Sequence, residues 1–236
     1  MKYPKDTKKL LFIDIETVPV AETFEELTPT MQEFWRQKSS YIAVDQAPEL
    51  TFPSKAGIYA EFGKITAVAF GFFRENENYE LQLRIKSISH PNEKIVLEEL
   101  TEILTKFKSD TVLIGHHIRE FDLPFLCRRM LVNSFPLPHL LDLQGQKPWK
   151  IRHLDTVDMW KFGDMKKFTP LTLLAEIFDI HIDEVPDKNL IYKLYYQEQN
   201  QAKIAEHAQT NVMLTAQLYL CLQSLPRLKS ENIIIL

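Results

Sequence analysis

Two carboxylates, Asp14 and Glu16, interrupt an apolar run at residues 10–18, LLFIDIETV. The run reads as a mostly buried strand. Residues two apart in a strand share a face, so both acids point one way while Leu11, Ile13 and Ile15 point the other way, into a core. Neighbouring carboxylates in so apolar a strand repel each other and lose hydration. A hard divalent cation removes both penalties. A strand end open to water would make the same pair harmless, and a D-x-E pair arises by chance about once in a chain of this length. The pair gains meaning only from partners.

Two groups of partners stand further along. Residues 115–122, GHHIREFD, follow a short apolar segment and open a helix. Asp122 is then near a helix N-terminus, where it either caps the helix or points into the cleft in which α/β folds gather ligands. His207 and Asn211 are four apart in a late helical segment and share a face, which an exposed polar stripe would also explain. Lys147, Trp149, Lys150 and Arg152 form a basic–aromatic loop, and Trp160, Lys161, Lys166, Lys167 and Phe168 form another. Aromatics between basic residues suit single-stranded nucleic acid, although solvated loops carry lysines too. The tyrosines at 192, 195 and 196 read as packing.

The elements that must position these residues follow from periodicity. After the strand at 10–18, residues 21–60 read as an insertion with helical pieces, punctuated by prolines. Residues 64–73 and 79–88 form an antiparallel hairpin around a polar turn. A helix is expected at 92–108 with Asn92 as its N-cap, a short buried strand at 111–115, and a helix from Asp122 to about 132. A long loop at 133–153 leads to a last strand at 153–159, and helices follow at 170–179 and 203–224. This mixture predicts an α/β fold in one domain, residues 1–236, with helices on both faces of a mixed central sheet.

The bulk composition constrains function less. The chain has 236 residues, 45% hydrophobic and 25% charged, with a net charge of −4. That balance is not the footprint of a passive DNA-binding protein, but metal ions can bring positive charge to a phosphate on an acidic enzyme. No stretch is long and apolar enough to span a bilayer, and the charged N-terminus does not read as a signal peptide. The two cysteines, Cys127 and Cys221, lack metal-ligand spacing and read as reduced core residues, which places the protein in the cytoplasm.

Taken in order, the motifs resemble the DEDD superfamily of 3′→5′ exonucleases, above all the proofreading exonuclease domain of family B DNA polymerases and its stand-alone bacterial relatives. The likeness rests on Asp14-Ile-Glu-Thr, Gly115-His-His-x-x-x-Phe-Asp-x-Pro, the stretch at 56–65, the Asp-Thr segment at 155–162, the stretch at 169–175 and the late helix. It extends from Leu10 to about residue 222. It implies a ribonuclease-H-like fold and a metal-dependent exonuclease acting on single-stranded or frayed DNA 3′ ends. Asp14, Glu16 and Asp122 match the first three metal-binding acids, which in such enzymes hold two Mg²⁺ or Mn²⁺ ions. Thr17 and Phe121 match positions that contact the terminal nucleotide.

Three positions depart from the pattern. His117 stands where the second motif has Asn, and His207-Ala-Gln-Thr-Asn211 stands where the third has Tyr-x-x-x-Asp. Asn211 offers a neutral oxygen to a metal but no charge, so weaker binding of one ion is expected. His207 is a competent general base near neutral pH and joins the three acids as a candidate catalytic residue. The alternative is a relative that kept the fold as an inactive nucleic-acid-binding or protein-interaction module. Glu206 points away from Asn211 on the helix, while Asp155 and Asp158 stand near enough in the pattern to be considered as substitute ligands.

Overall fold

The apolar run that carries Asp14 and Glu16 is the central strand β1, Leu10–Pro19, in a computed structural model that describes residues 5–164, 168–181, 187 and 189–236. Its odd-numbered residues Leu11, Ile13 and Ile15 are buried on one face, and Leu10 and Phe12 are buried on the other. The chain then runs through α1 (Pro29–Ile42) and α2 (Pro48–Lys55), β2 (Gly63–Glu75), β3 (Leu81–Ser89), α3 (Glu93–Lys106), β4 (Val112–Gly115) and α4 (Asp122–Val132). After a long loop come β5 (Leu154–Asp155), α5 (Thr156–Lys161), α6 (Leu171–Ile177), a short α7 (Leu190–Tyr192) with a π-helical turn at Lys193–Gln197, α8 (Gln201–Leu222) and β6 (Ile233–Ile235).

The six strands form one mixed sheet in the order β5-β4-β1-β2-β3-β6. β1–β2 and β2–β3 pair antiparallel, whereas β4 pairs parallel with β1 and with β5, and β6 pairs parallel with β3. Helices cover both faces. α3 and α4 pack on the side of Leu11, Ile13 and Ile15 through Leu97, Leu100, Leu104, Leu123 and Leu126. α8 packs on the other side through Ala208, Val212, Ala216 and Leu220. Its approach depends on Gly71 of β2, where a Cβ would lie 2.5 Å from Val212 Cγ1. Residues between β1 and β2 build a small core of their own around Trp35, with Phe24, Phe52 and Phe62. No described helix is long and apolar enough to cross a membrane.

Two expectations are corrected. The strand expected at 153–159 shrinks to Leu154–Asp155, because the Asp155 carboxylate accepts the Val157 N–H at 2.9 Å and starts a helix instead. The chain also does not end in helix: Ile233–Ile235 closes the β3 edge. Both cysteines are free but half-buried, less enclosed than core residues.

Candidate active site

β1 delivers two acids to the α8 side of the sheet at a point where its pairing with β2 breaks register. Glu16 lies opposite Ala67 but Thr17 lies opposite Ile65, so Thr66 is an extra residue on β2. Such a bulge increases local twist and re-aims side chains. Glu16 is buried and Asp14 half-buried. α8 crosses above them. His207 Nδ1 lies 2.5 Å from Glu16 Oε1, and Asn211 Nδ2 donates to Asp14 Oδ2 at 3.3 Å and to Glu16 Oε1 at 3.2 Å.

The third acid arrives from the opposite direction. β4 ends at Gly115, where a Cβ would lie 2.9 Å from the Ile13 carbonyl oxygen, so only glycine lets the chain turn this close to β1. The turn includes His117 at φ 67° and leads into α4, whose first residue is Asp122. Asp122 is 4% exposed, and its Oδ1 accepts the backbone N–H of Ile15 at 3.1 Å. That N–H belongs to the residue between Asp14 and Glu16, so the three expected carboxylates converge.

Their convergence is electrostatically costly. Burial, then Glu16, then Asp122 push Asp14 well above the usual carboxylate range, against a partial pull downward from the Asn211 amide. Burial raises Asp122 from 3.8 to about 7, although the Ile15 N–H holds it down. For His207, burial favours the neutral ring, but the hydrogen bond and charge of Glu16 outweigh it and raise the pKa above 6.5. Groups whose folded pKa is raised stabilise the fold below their unfolded pKa and lose that stabilisation as pH climbs through the folded value. For Asp122 the window runs from about 4 to about 7, and Asp14 and His207 act in the same direction. We therefore expect the metal-free protein to melt at lower temperature as pH rises from 5 to 8. Asp14→Asn should raise the melting temperature at neutral pH and flatten this slope, each kcal/mol relieved reading as about 2–4 °C in thermal scans. A melting temperature that rises with pH in chelator would contradict the cluster's electrostatics.

The donor types suit a hard divalent cation, since Asp14 and Asp122, both of raised pKa, and the buried Glu16 lie in a partly desolvated space. Its present arrangement is tied to protein donors instead. Glu16 Oε1 is shared between His207 and Asn211, and among the described residues no group of three or more His, Cys, Asp or Glu side chains is disposed to hold a metal ion. Asn211 presents its amide nitrogen, not its oxygen, to the acids. His207 Nε2 is buried and has no hydrogen-bond partner.

The remaining candidates divide into near and distant ones. His117 is half-buried in the turn before α4, with its ring 4.8 Å from that of Phe168. Phe121 precedes Asp122 and packs on Phe125 at 5.5 Å. Thr17 lies at the bulge beside Glu16. Asp155 is no substitute ligand. Its Oδ1 accepts the N–H groups of His117 and Val157, both at 2.9 Å, and its Oδ2 accepts that of Arg119 at 3.1 Å. It fixes the turn that delivers Asp122, a role the sequence signalled only as an acid near a strand. Asp158 pairs with Arg119 and Lys161 at the surface, and Glu206 is exposed. His116 bonds to Thr156 Oγ1 and the Thr169 carbonyl. Tyr192 and Tyr196 donate to the carbonyls of Glu22 and Pro19 and brace the exit of β1, and Tyr195 donates to the Pro91 carbonyl between β3 and α3. Lys166 and Lys167 lie outside the described residues.

With the geometry in place, the chain can be set beside known proteins. Residues 58–232 match a family described as a predicted 3′-5′ exonuclease related to the exonuclease domain of PolB. The matched stretch includes Asp122, His207 and Asn211 and begins after β1. No curated protein matches the chain in sequence. Among solved structures it is similar to the family B DNA polymerase of the hyperthermophilic archaeon Pyrobaculum calidifontis, with a TM-score of 0.56 at 13% identity. The alignment covers 91% of this chain and 24% of the polymerase, so the chain spans about a quarter of that protein's length. The likeness, with the mixed sheet and its helices, gives the ribonuclease-H-like α/β fold that the motifs implied.

Proposed function

Because the chain belongs to the family of predicted 3′-5′ exonucleases related to the exonuclease domain of PolB, we propose that it is a metal-dependent nuclease removing nucleotides from the 3′ ends of single-stranded or frayed DNA. The observation that carries this reading is the meeting of Asp14, Glu16 and Asp122 across β1 and the start of α4. Mg²⁺ or Mn²⁺ held by these acids, with Asn211 as a neutral fourth ligand, would supply positive charge for water activation and for the leaving 3′ oxygen.

The chain's own residues do the rest. His207 is hydrogen-bonded to Glu16 through Nδ1 and leaves its buried Nε2 without a partner, free to orient a water or take its proton. Thr17, His117 and Phe121 flank the acids and are assigned to the terminal nucleotide. Asp155 holds the turn on which His117 and Asp122 depend. Two free thiols suit a cytoplasmic setting.

A second reading also has an observation behind it. His207 and Asn211 already satisfy Glu16 and Asp14 with protein donors, which suits a module that binds nucleic acid or a protein partner without cutting. A single experiment separates the two. A 5′-labelled single strand incubated with the protein and Mn²⁺ should shorten stepwise from its 3′ end, and chelator or a blocked 3′ terminus should stop it. Asn211→Asp restores a fourth carboxylate and is expected to raise the rate about tenfold or more, equivalent to ~1.4 kcal/mol of barrier, and to lower the Mn²⁺ concentration needed. Strand binding without cleavage by either protein would favour the inactive module.

A further inference from the structure

The loop between α4 and β5 has features that the acid cluster does not use. At its tip, Pro148–Lys150 forms a 3₁₀ turn with Trp149 75% exposed and Lys147 Nζ 5.3 Å from the indole centroid. The turn is anchored: the Arg119 guanidinium donates to the Pro148 carbonyl and pairs with Asp158 at 3.2 Å. Arg119 lies in the turn that delivers Asp122, so the tip is tied to the same segment as the third acid. Among the described residues, Lys147, Lys150, Arg152 and Arg128 have no carboxylate within ion-pair distance. Between the loop and the outer face of α4 lies a pocket of about 330 Å³. Its walls are mainly apolar, including Leu131, Leu137, Leu143 and Ile151, with Arg119 and Arg128 as its charged members.

That volume lies at the lower end of the ~300–1,000 Å³ range of ligand pockets. An apolar slot with guanidinium groups, next to an exposed indole and unpaired lysines, matches a molecule with flat faces and regularly spaced negative charges. We propose that this loop and pocket form a second subsite for single-stranded nucleic acid, distinct from the acids. One unpaired base enters the pocket, a neighbouring base stacks on Trp149, and Lys147, Lys150 and Arg128 meet the phosphates. The inference rests on the nucleic-acid reading above and adds to it where the strand is held upstream of the end being cut. An amphipathic protein segment would satisfy the apolar wall but would leave the unpaired cations without a use.

The test is strand binding in chelator, which separates this site from cleavage. Of the three tryptophans, Trp35 is fully buried and Trp160 half-buried, so indole quenching reports chiefly on Trp149. A short oligothymidylate should quench the fluorescence of the full chain. With binding by the variants read from the anisotropy of a dye-labelled strand, Trp149→Ala should weaken it by about 5- to 150-fold, the range for loss of one stacked base. Trp149→Phe, which keeps an aromatic face, should retain most of the affinity. Lys147→Ala with Lys150→Ala should reduce the salt dependence, lowering the slope of log K against log[salt] by about 1.4. If the wild type binds the strand and the loop variants bind equally well, the strand runs elsewhere and the inference fails while the nuclease reading stands. If a phosphate-free amphipathic helical peptide quenches Trp149 and the strand does not, the pocket is a protein site and the inference fails. If the strand binds as described but is never cut, the subsite is upheld and the nuclease reading falls.

Discussion

Asp14→Ala is expected to lower 3′-end cleavage by at least ~10³-fold, equivalent to ~4 kcal/mol of transition-state stabilisation, while leaving the protein at least as stable as the wild type. The two halves of this expectation come from one piece of geometry. The Asp14 carboxylate is hydrogen-bonded to Asn211 in α8 and is otherwise pressed by its own burial, by Glu16 and by Asp122. Removing it relieves repulsion in the metal-free fold and removes one of the charges that would hold a cation. Loss of activity with an unchanged or raised melting temperature therefore marks a site residue, whereas loss of both would mark a structural one. A variant that still cuts within tenfold of the wild-type rate would remove Asp14 from the reaction.

Glu93→Ala is expected to be the most damaging single change to stability, costing about 3–5 kcal/mol, the ordinary loss when one partner of a buried ion pair is left alone. Arg129 of α4 meets Glu93 of α3 through two parallel contacts, Nε to Oε1 at 2.9 Å and Nη2 to Oε2 at 2.6 Å. Both residues are under 10% exposed. The pair reaches well beyond itself. Glu93 Oε1 also accepts the Ile65 N–H at 2.8 Å beside the β2 bulge, Asn133 Nδ2 donates to its Oε2, and Arg129 donates to the Ala60 carbonyl. One carboxylate thus joins the start of β2, the start of α3 and the end of α4. Because α4 carries Asp122 at its other end, the variant should also lose metal-dependent activity in proportion to unfolding. Denaturant titration measures the cost, and a variant within 1 kcal/mol of wild type would show the network to be dispensable. Replacing Glu93 and Arg129 together by apolar residues of similar volume should be far milder than Glu93→Ala, since no charge remains stranded.

What the sequence disclosed followed the range of the interactions involved. β1, the β2–β3 hairpin, α3, α4 and α8 were legible because each buries a regular face, and period two or 3.6 is written directly into the residues. The segment at 153–159 reads as a strand, yet Asp155 makes it a helix start. Asp155 caps that helix through the Val157 N–H, while its other partners, the His117 and Arg119 amides, are 38 and 36 residues away. β6 is three isoleucines, β-branched residues that suit a strand, but a run this short is fixed as one only by the β3 edge it joins. At the site, the acids were legible by type and order. That Asn211 turns its amide nitrogen toward them was not, because it depends on how α8 crosses β1. The Glu93–Arg129 pair was invisible for a similar reason. A Glu in a helix's first turn and an Arg near another helix's end are ordinary surface residues until the two helices are packed together.

The acids described above come from opposite directions, and this bears on how the protein reaches its folded state. The Ile15–Asp122 contact spans 107 residues, and the Asp14–Asn211 contact spans 197. No continuous fragment of moderate length holds the whole site, and contacts of such separation carry large loop-closure costs that must be met by packing elsewhere. The cluster also repels itself when it closes. Both effects place it late in assembly, after the hairpin and the helices have docked. Binding of Mn²⁺ during refolding should accordingly lag behind recovery of secondary structure, and a cut in any connecting loop that lets α8 drift should abolish the site before it unfolds the sheet.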